Sequence, residues 1–140
     1  MKLKPREIDA FIRTPDPAVQ AILVFGPDQG LVQERCRQLA KTVLDDLTDP
    51  FRLTDISDAD LRQDPARLAD EAAAISMMGG RRVVRVRGAA DGLSKTFKSF
   101  LENPAGDALI IVSAGELTPR SSLRKAFEDA KNGAAIACSR

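Results

Sequence analysis

Two continuous apolar runs stand out along the chain, at residues 21–25 and 108–112. Neither run contains a polar residue, so a strand formed by either one must be covered on both faces, as in the middle of a parallel sheet. Weaker runs predict three further strands, at residues 51–55, 83–86 and 134–138. Polar residues alternate within 51–55, which places that strand nearer a sheet edge.

Apolar residues at helical spacing occupy the segments between these strands. The longest such pattern begins at Leu31 and predicts a helix of about four turns that reaches Leu47. A second helical segment is predicted to have its main part begin at Pro65, to include Ile75, and to end at the glycine pair 79–80. Shorter helices are predicted at residues 5–14, 93–101 and 123–130.

Strands that alternate with helices at this spacing predict an α/β fold. Right-handed crossovers place helices on both faces of a mostly parallel five-stranded sheet, which gives three layers. With 140 residues, the chain is expected to form a single domain spanning residues 1–140.

Composition narrows the possible functions. Lys and Arg total 21 against 20 Asp and Glu, so any electrostatic function must be local. The chain has no histidine, which excludes Ser-His-Asp and Cys-His nucleophiles and zinc sites that need imidazole. Its two cysteines, Cys36 and Cys138, lack CxxC spacing, and no long apolar stretch follows Met1, so we expect a cytoplasmic protein without a membrane span. Cys36 falls at a core position of its helix.

The turn after the first strand lies where an α/β nucleotide-binding protein places its phosphate loop. A Walker A loop has the pattern GxxxxGK[ST], in which Lys reaches the terminal phosphates and Ser or Thr binds magnesium. Here Leu31 and Val32 follow Gly30, and Asp28 would repel phosphate. We therefore expect no bound cofactor, and interpret Gly26 and Gly30 as turn and helix-entry residues.

Two charged clusters admit more than one interpretation. Four aspartates lie between residues 55 and 64 and suggest either a metal site or, more ordinarily, helix caps and solvated loops. Four arginines lie between residues 81 and 87, and Arg81, Arg85 and Arg87 share one face if the strand alternates. Such a strand is either an edge protected by charge or part of a binding patch.

The segment 75–82 joins the second helix to the third strand and contains Met77 and Met78. Adjacent methionines before a glycine pair, with arginines beyond, could present an apolar knob to a partner's pocket. At helical spacing they could equally fill the core. Spacing alone leaves both interpretations open.

Residues 22–28, 74–84 and 109–125 together resemble the delta subunit of the bacterial DNA polymerase III clamp loader. The resemblance implies that family's N-terminal domain, a RecA-like module of the AAA+ type with a degenerate phosphate loop. In the family, a helical lid domain and a collar domain follow, and neither is expected within this chain.

The resemblance also implies a function in DNA replication: binding the beta sliding clamp and helping to open the ring, without intrinsic catalysis. The family's clamp-binding element maps onto Ser76, Met77 and Met78, with Gly79 and Arg81 beside it. Methionines replace the commoner Leu-Phe pair.

The other implied partners are the delta prime and gamma or tau subunits, reached through the domains outside this chain, and DNA only indirectly. Two alternative functions remain open from the residues themselves. One is an enzyme, either a nucleotide-binding α/β domain of an ATP-dependent enzyme or a receiver-like domain that uses the Asp-rich loops, and the other is a simple DNA-binding module.

Overall fold

A computed structural model describes residues 1–139 and shows an α/β domain. The strands are β1 (Ala21–Phe25), β2 (Leu53–Ser57), β3 (Val83–Ala89), β4 (Leu109–Ala114) and β5 (Gly133–Ala137). The helices are α1 (Ile8–Arg13), α2 (Gln29–Lys41), α3 (Asp58–Gln63), α4 (Ala66–Ala73), α5 (Ser94–Glu102) and α6 (Ser122–Asp129). Short 3-10 turns, Pro5–Glu7 and Asp91–Leu93, lead into α1 and α5.

The five strands form one sheet in the order β2-β3-β4-β1-β5, and every pair is parallel. β1 and β4, which contain the two continuous apolar runs, pair with each other inside the sheet, as their sequences predict. β2 is an edge strand, which agrees with its polar alternation. The predicted fold class is therefore confirmed.

Helices cover both faces of the sheet and divide the core in two. On one face, α1 and α2 bury Ile12, Val32 and Leu39 against β1 and β4. On the other, α3 to α6 pack around Phe97 and Phe127, whose ring centroids lie 5.3 Å apart. Among residues 1–139, none of the helices is long and apolar enough to span a membrane.

Several predicted boundaries are wrong. α2 ends at Lys41, and the apolar pattern continues through a turn in which Leu44 is still buried. β2 begins two residues later than predicted because Asp49 organises a turn before it, accepting from the amide of Phe51. The second predicted helical segment forms two helices, α3 and α4; α4 begins next to Pro65 as predicted, but it ends at Ala73, well before Gly79. Residue 74 is extended, so residues 74–82 form a loop.

The position of β3 in the sheet contradicts one interpretation of its arginines. β3 lies between β2 and β4, so its arginines do not protect an edge. Arg85 and Arg87 both reach the carboxylate of Asp55 on β2, at 2.8 and 3.1 Å. Arg81 precedes the strand and takes no part in this cluster. Arg85 and Arg87 thus join the edge strand β2 to β3.

Candidate functional site

The loop at residues 74–82 carries the most exposed large apolar side chains. Ile75 is 90% exposed, Met77 87% and Met78 86%. Phe51, before β2, is 55% exposed, and within residues 1–139 these four are all the exposed large hydrophobic side chains. Exposed large apolar groups of this kind indicate interaction sites more often than isolated surface residues do. We call Phe51, Ile75, Met77 and Met78 the apolar patch.

Arg82 holds the two ends of the loop together. Its guanidinium is buried and donates to the carbonyl of Glu71 in the last turn of α4 (2.6 Å) and to the carbonyl of Phe51 (3.1 Å). A third bond reaches the hydroxyl of Thr54 on β2, at 2.6 Å. Carbonyls in the last turn of a helix lack intrahelical partners, so the arginine also caps α4. The Arg82 clasp therefore joins α4, β2 and the base of the loop.

A second arginine supports the tip of the loop. Arg52 donates from Nε and a terminal nitrogen to the carbonyl of Arg81, at 3.1 and 2.8 Å. A Cβ atom at Gly80 would lie 2.7 Å from the Arg52 guanidinium carbon, so only glycine fits there without displacing that side chain. Gly79 and Gly80 both have positive φ, 77° and 89°, and the amide of Gly79 closes a turn onto the carbonyl of Ser76. The glycine pair therefore shapes the loop and does not end a helix.

The predicted site residues differ in their exposure and in their hydrogen bonds. Met77 and Met78 are at the surface, which contradicts the interpretation that they fill the core. Ser76 is only 5% exposed, and within residues 1–139 its hydroxyl oxygen is the one buried side-chain polar atom without a hydrogen-bond partner. Arg81 is half-buried and donates to the carbonyl of Asp107 at 2.7 Å. The loop thus exposes the methionines and buries the serine between them and Ile75.

Two residues of the apolar patch were missed by sequence analysis. The helical pattern places Ile75 in a helix core, because its spacing from Ala72 continues that pattern. The sequence pattern places Phe51 at the start of a strand. The sequence does contain a signal for Phe51, since Asp49-Pro50 directly before it favours a turn.

The turn after β1 lies at the opposite, carboxyl end of the sheet. The carboxylate of Asp28 accepts from the amide of Leu31 at 3.1 Å and so caps α2 with its own negative charge. The side-chain amide of Gln29 bridges the carbonyls of Gly26 and Ala114, at 2.7 and 3.0 Å. The start of α2, where a phosphate would bind, is thus occupied by groups of the chain itself.

The aspartates between residues 55 and 64 bond to different partners. Asp58 pairs with Arg62 and accepts from the amide of Ala90, while Asp55 faces Arg85 and Arg87. Burial acts to raise the pKa of Asp55, but hydrogen bonds and charges from the two arginines outweigh it and lower that pKa. In the described part of the chain, no three His, Cys, Asp or Glu side chains lie together as metal ligands.

Neither cysteine is placed for chemistry. Cys36 is buried in α2 as predicted, and burial raises the pKa of its thiol to about 12. Cys138 is also buried, and burial likewise raises its pKa. The thiolate forms that would react are therefore disfavoured at neutral pH.

Comparisons with known proteins agree with this architecture. The DNA clamp loader delta protein of Bacillus subtilis matches with a TM-score of 0.71 and 23% identity, over 95% of this chain and 42% of that one. A DNA polymerase III gamma subunit-related protein of Thermotoga maritima matches with a TM-score of 0.64 and 15% identity, over 96% of this chain and 46% of that one. The chain thus spans less than half the length of either structure, and at these identities the likeness shows the fold alone. No curated protein matches the sequence significantly.

The family model for the DNA polymerase III delta subunit matches residues 22–138, which include all of the sheet except Ala21 and the whole loop at residues 74–82. The chain therefore belongs to the DNA polymerase III delta subunit family.

Proposed function

We propose that this domain binds the beta sliding clamp through the apolar patch and helps to open the ring during DNA replication in the cytoplasm. The observation that carries the proposal is the near-complete exposure of Ile75, Met77 and Met78 on a loop with anchored ends. Full burial of a methionine side chain is worth about 1.5–3 kcal/mol, so exposing two of them to water is unfavourable until a partner covers them.

The anchoring of the loop supports the same proposal. The Arg82 clasp fixes the distance between the end of α4 and the start of β3, and the Arg52 guanidinium fills the space beside Gly80. A binding loop whose ends are already held loses less conformational entropy when it docks. Methionine also adapts to the shape of a pocket, although its free rotamers cost more on burial than those of phenylalanine.

Arginines flank the apolar patch and add a long-range electrostatic attraction to an acidic partner. Arg52 and Arg81 use part of their donors on backbone carbonyls but keep their full positive charge. A basic surround favours a partner whose pocket has an acidic rim and speeds the encounter more than it tightens the complex. Ser76 and Gly79 serve the site by shaping the loop.

Ring opening then requires no covalent chemistry. A domain that binds the opened or distorted clamp more tightly than the closed one shifts the clamp's equilibrium by that difference in affinity and by no more. Assembly with the delta prime and gamma or tau subunits belongs, in the same proposal, to parts of the family's longer chains outside these 140 residues.

The test is clamp binding by Met77→Ala/Met78→Ala, measured by calorimetry. We expect a loss of roughly 2–4 kcal/mol, about ten- to a thousand-fold in Kd, with almost no change in melting temperature. Met77→Leu/Met78→Phe is the matched control, because it keeps the apolar surface and should retain affinity. Unchanged affinity in a well-folded double alanine variant would refute the site.

A further inference from the structure

A cavity of about 250 Å³ opens between α2 and the carboxyl-terminal halves of β3 and β4. The charged side chains in its lining are Arg37, Arg85 and Arg87, so we call it the arginine cavity. It lies at the carboxyl ends of the strands, whereas the loop at residues 74–82 precedes β3 at the amino ends. The arginine cavity is therefore separate from the apolar patch, and the inference drawn from it does not rest on clamp binding.

The cavity forms where this face of the sheet changes from apolar to polar. In β3, Val83 packs in the core beneath α2, and Arg85 and Arg87 follow at alternate positions on the same face. β4 changes in the same way, from Leu109 to Ser113. Apolar side chains of α2 cannot cover these polar groups without a desolvation cost, so a cleft remains between the helix and the sheet.

Two of the three arginines share a single carboxylate. Asp55 on β2 accepts two hydrogen bonds from Arg85, at 2.8 and 3.0 Å, and one from Nε of Arg87, at 3.1 Å. The side chain of Arg87 is 49% exposed, and within residues 1–139 its two terminal nitrogens have no hydrogen-bond partner. Two guanidiniums against one carboxylate leave a net positive charge at the mouth of the cavity.

Arg37 adds a third guanidinium from α2. It is exposed, and it bonds to Glu34 one turn earlier through Nε and one terminal nitrogen, at 3.1 and 2.7 Å. Its other terminal nitrogen has no partner within residues 1–139. Because exposed ion pairs of this kind contribute little to stability, Arg37 can turn to a second carboxylate at small cost. The exposed side-chain amide of Gln33 offers a further donor beside it.

We propose that the arginine cavity binds a glutamate side chain from an acidic segment of a partner protein. The fixed fork of a guanidinium matches a carboxylate through paired hydrogen bonds, and clusters of arginines recognise acidic segments in this way. The rest of the lining includes the apolar side chains of Cys36, Leu47 and Ile111. Glutamate suits both parts, because its methylene groups cover the apolar lining while its carboxylate reaches the guanidiniums.

A phosphate group suits the arginine cavity less well than a carboxylate does. A phosphate monoester carries a charge of about −1.5 to −2 at neutral pH, so the carboxylates of Asp55 and Glu34 repel it more strongly. It also has no apolar stem to cover the side chains of the lining. The backbone of a nucleic acid is a row of evenly spaced charges, which cations along an open groove match better than three arginines around one cavity.

The test measures, by fluorescence anisotropy, the binding of the 140-residue chain to a labelled peptide in which glutamate alternates with alanine. Binding should weaken as salt is added and should be lost when glutamine replaces glutamate in the peptide. Arg37→Gln/Arg87→Gln should weaken binding at least about ten-fold, because it removes the guanidinium nitrogens that have no partner in the free domain. The matched control, Arg6→Gln/Arg13→Gln, removes the same charge from exposed positions in and before α1 and should bind like the wild type.

Three results would overturn the proposal. The first is an absence of binding of the glutamate peptide by the wild type at low salt. The second is an equal loss in both double variants, which would mean that net charge alone governs binding. The third is displacement of the peptide by inorganic phosphate at lower concentrations than by glutarate, which would assign the cavity to phosphate groups. Circular dichroism of each variant establishes that it is folded.

Discussion

Ser76 is a buried polar residue between two exposed apolar neighbours, the reverse of the usual arrangement along a protein surface. Ser76 is 5% exposed and its hydroxyl oxygen is buried without a hydrogen-bond partner among residues 1–139, whereas its carbonyl closes the turn with Gly79. The loop therefore depends on the backbone carbonyl of Ser76 and not on its hydroxyl. The hydroxyl adds a desolvation cost that nothing in the free domain offsets.

Replacing Ser76 by Ala should therefore leave the free energy of unfolding unchanged or raise it by about 1 kcal/mol. Ser121→Ala is the matched control, since that serine is equally buried but caps α6, accepting from the amide of Arg124 and donating to Asp91. Loss of this cap should cost about 1 kcal/mol. Urea denaturation measures both, and a clear destabilisation by Ser76→Ala would show that its hydroxyl has a partner.

At the scale of elements, the ends of α4, β2 and β3 depend on one guanidinium. Arg82→Ala removes four hydrogen bonds from a charged group, one of them to the carboxylate of Glu71, and should lower the free energy of unfolding by about 2–4 kcal/mol. Arg81→Ala, next to it, loses a single bond to the carbonyl of Asp107 and should cost less than about 1 kcal/mol. Equal losses in the two variants would contradict the assigned role of Arg82.

The pairing of β2 with β3 has a pH dependence that follows from Asp55. Because its folded pKa is lowered, ionised Asp55 stabilises the fold above its unfolded pKa of about 3.9, and this contribution is lost as the pH falls through the lower folded value. Its side chain is 42% exposed, so screening limits the effect to about 1 kcal/mol or less. Wild type should exceed Asp55→Asn in stability at pH 7, and the difference should vanish in acid. A difference that persists at pH 2 would contradict this account.

Elements whose apolar pattern is unbroken could be predicted from the sequence, and those set by tertiary hydrogen bonds could not. The sequence predicts both ends of β1 correctly, because its five consecutive apolar residues must be buried on both faces of the sheet. The end of α4 was not, because Ala74 and Ile75 continue the helical spacing while the guanidinium of Arg82 takes a carbonyl of the last turn. The resemblance, and not the spacing, predicts the methionines as site residues. Their exposure could not be told from spacing.

At the scale of the whole molecule, the two ends of the sheet differ in what they can bind. The carboxyl end of β1 carries Asp28, whose carboxylate already satisfies an amide at the start of α2. Any nucleotide there would bring its phosphates toward this negative charge, with no lysine in the turn to offset it.

We therefore expect Mg-ATP to leave the melting temperature unchanged. A real site saturated at a hundred times its Kd would add about 2.7 kcal/mol, a shift that a thermal melt detects readily. Measurable stabilisation or turnover that disappears on changing Asp28 or Gly30 would contradict this expectation and favour the ATP-dependent alternative.

Peroxide converts a methionine thioether into a polar sulfoxide, and the two most accessible thioethers here are those of Met77 and Met78. The cysteines, which would otherwise compete for the oxidant, are buried and disfavoured as thiolates. Mild oxidation therefore falls first on the loop at residues 74–82 and leaves the core intact. With the clamp-binding role proposed above, oxidant would switch off clamp binding in a folded domain, and methionine sulfoxide reductase would restore it. A Leu-Phe pair at the same positions lacks this sensitivity.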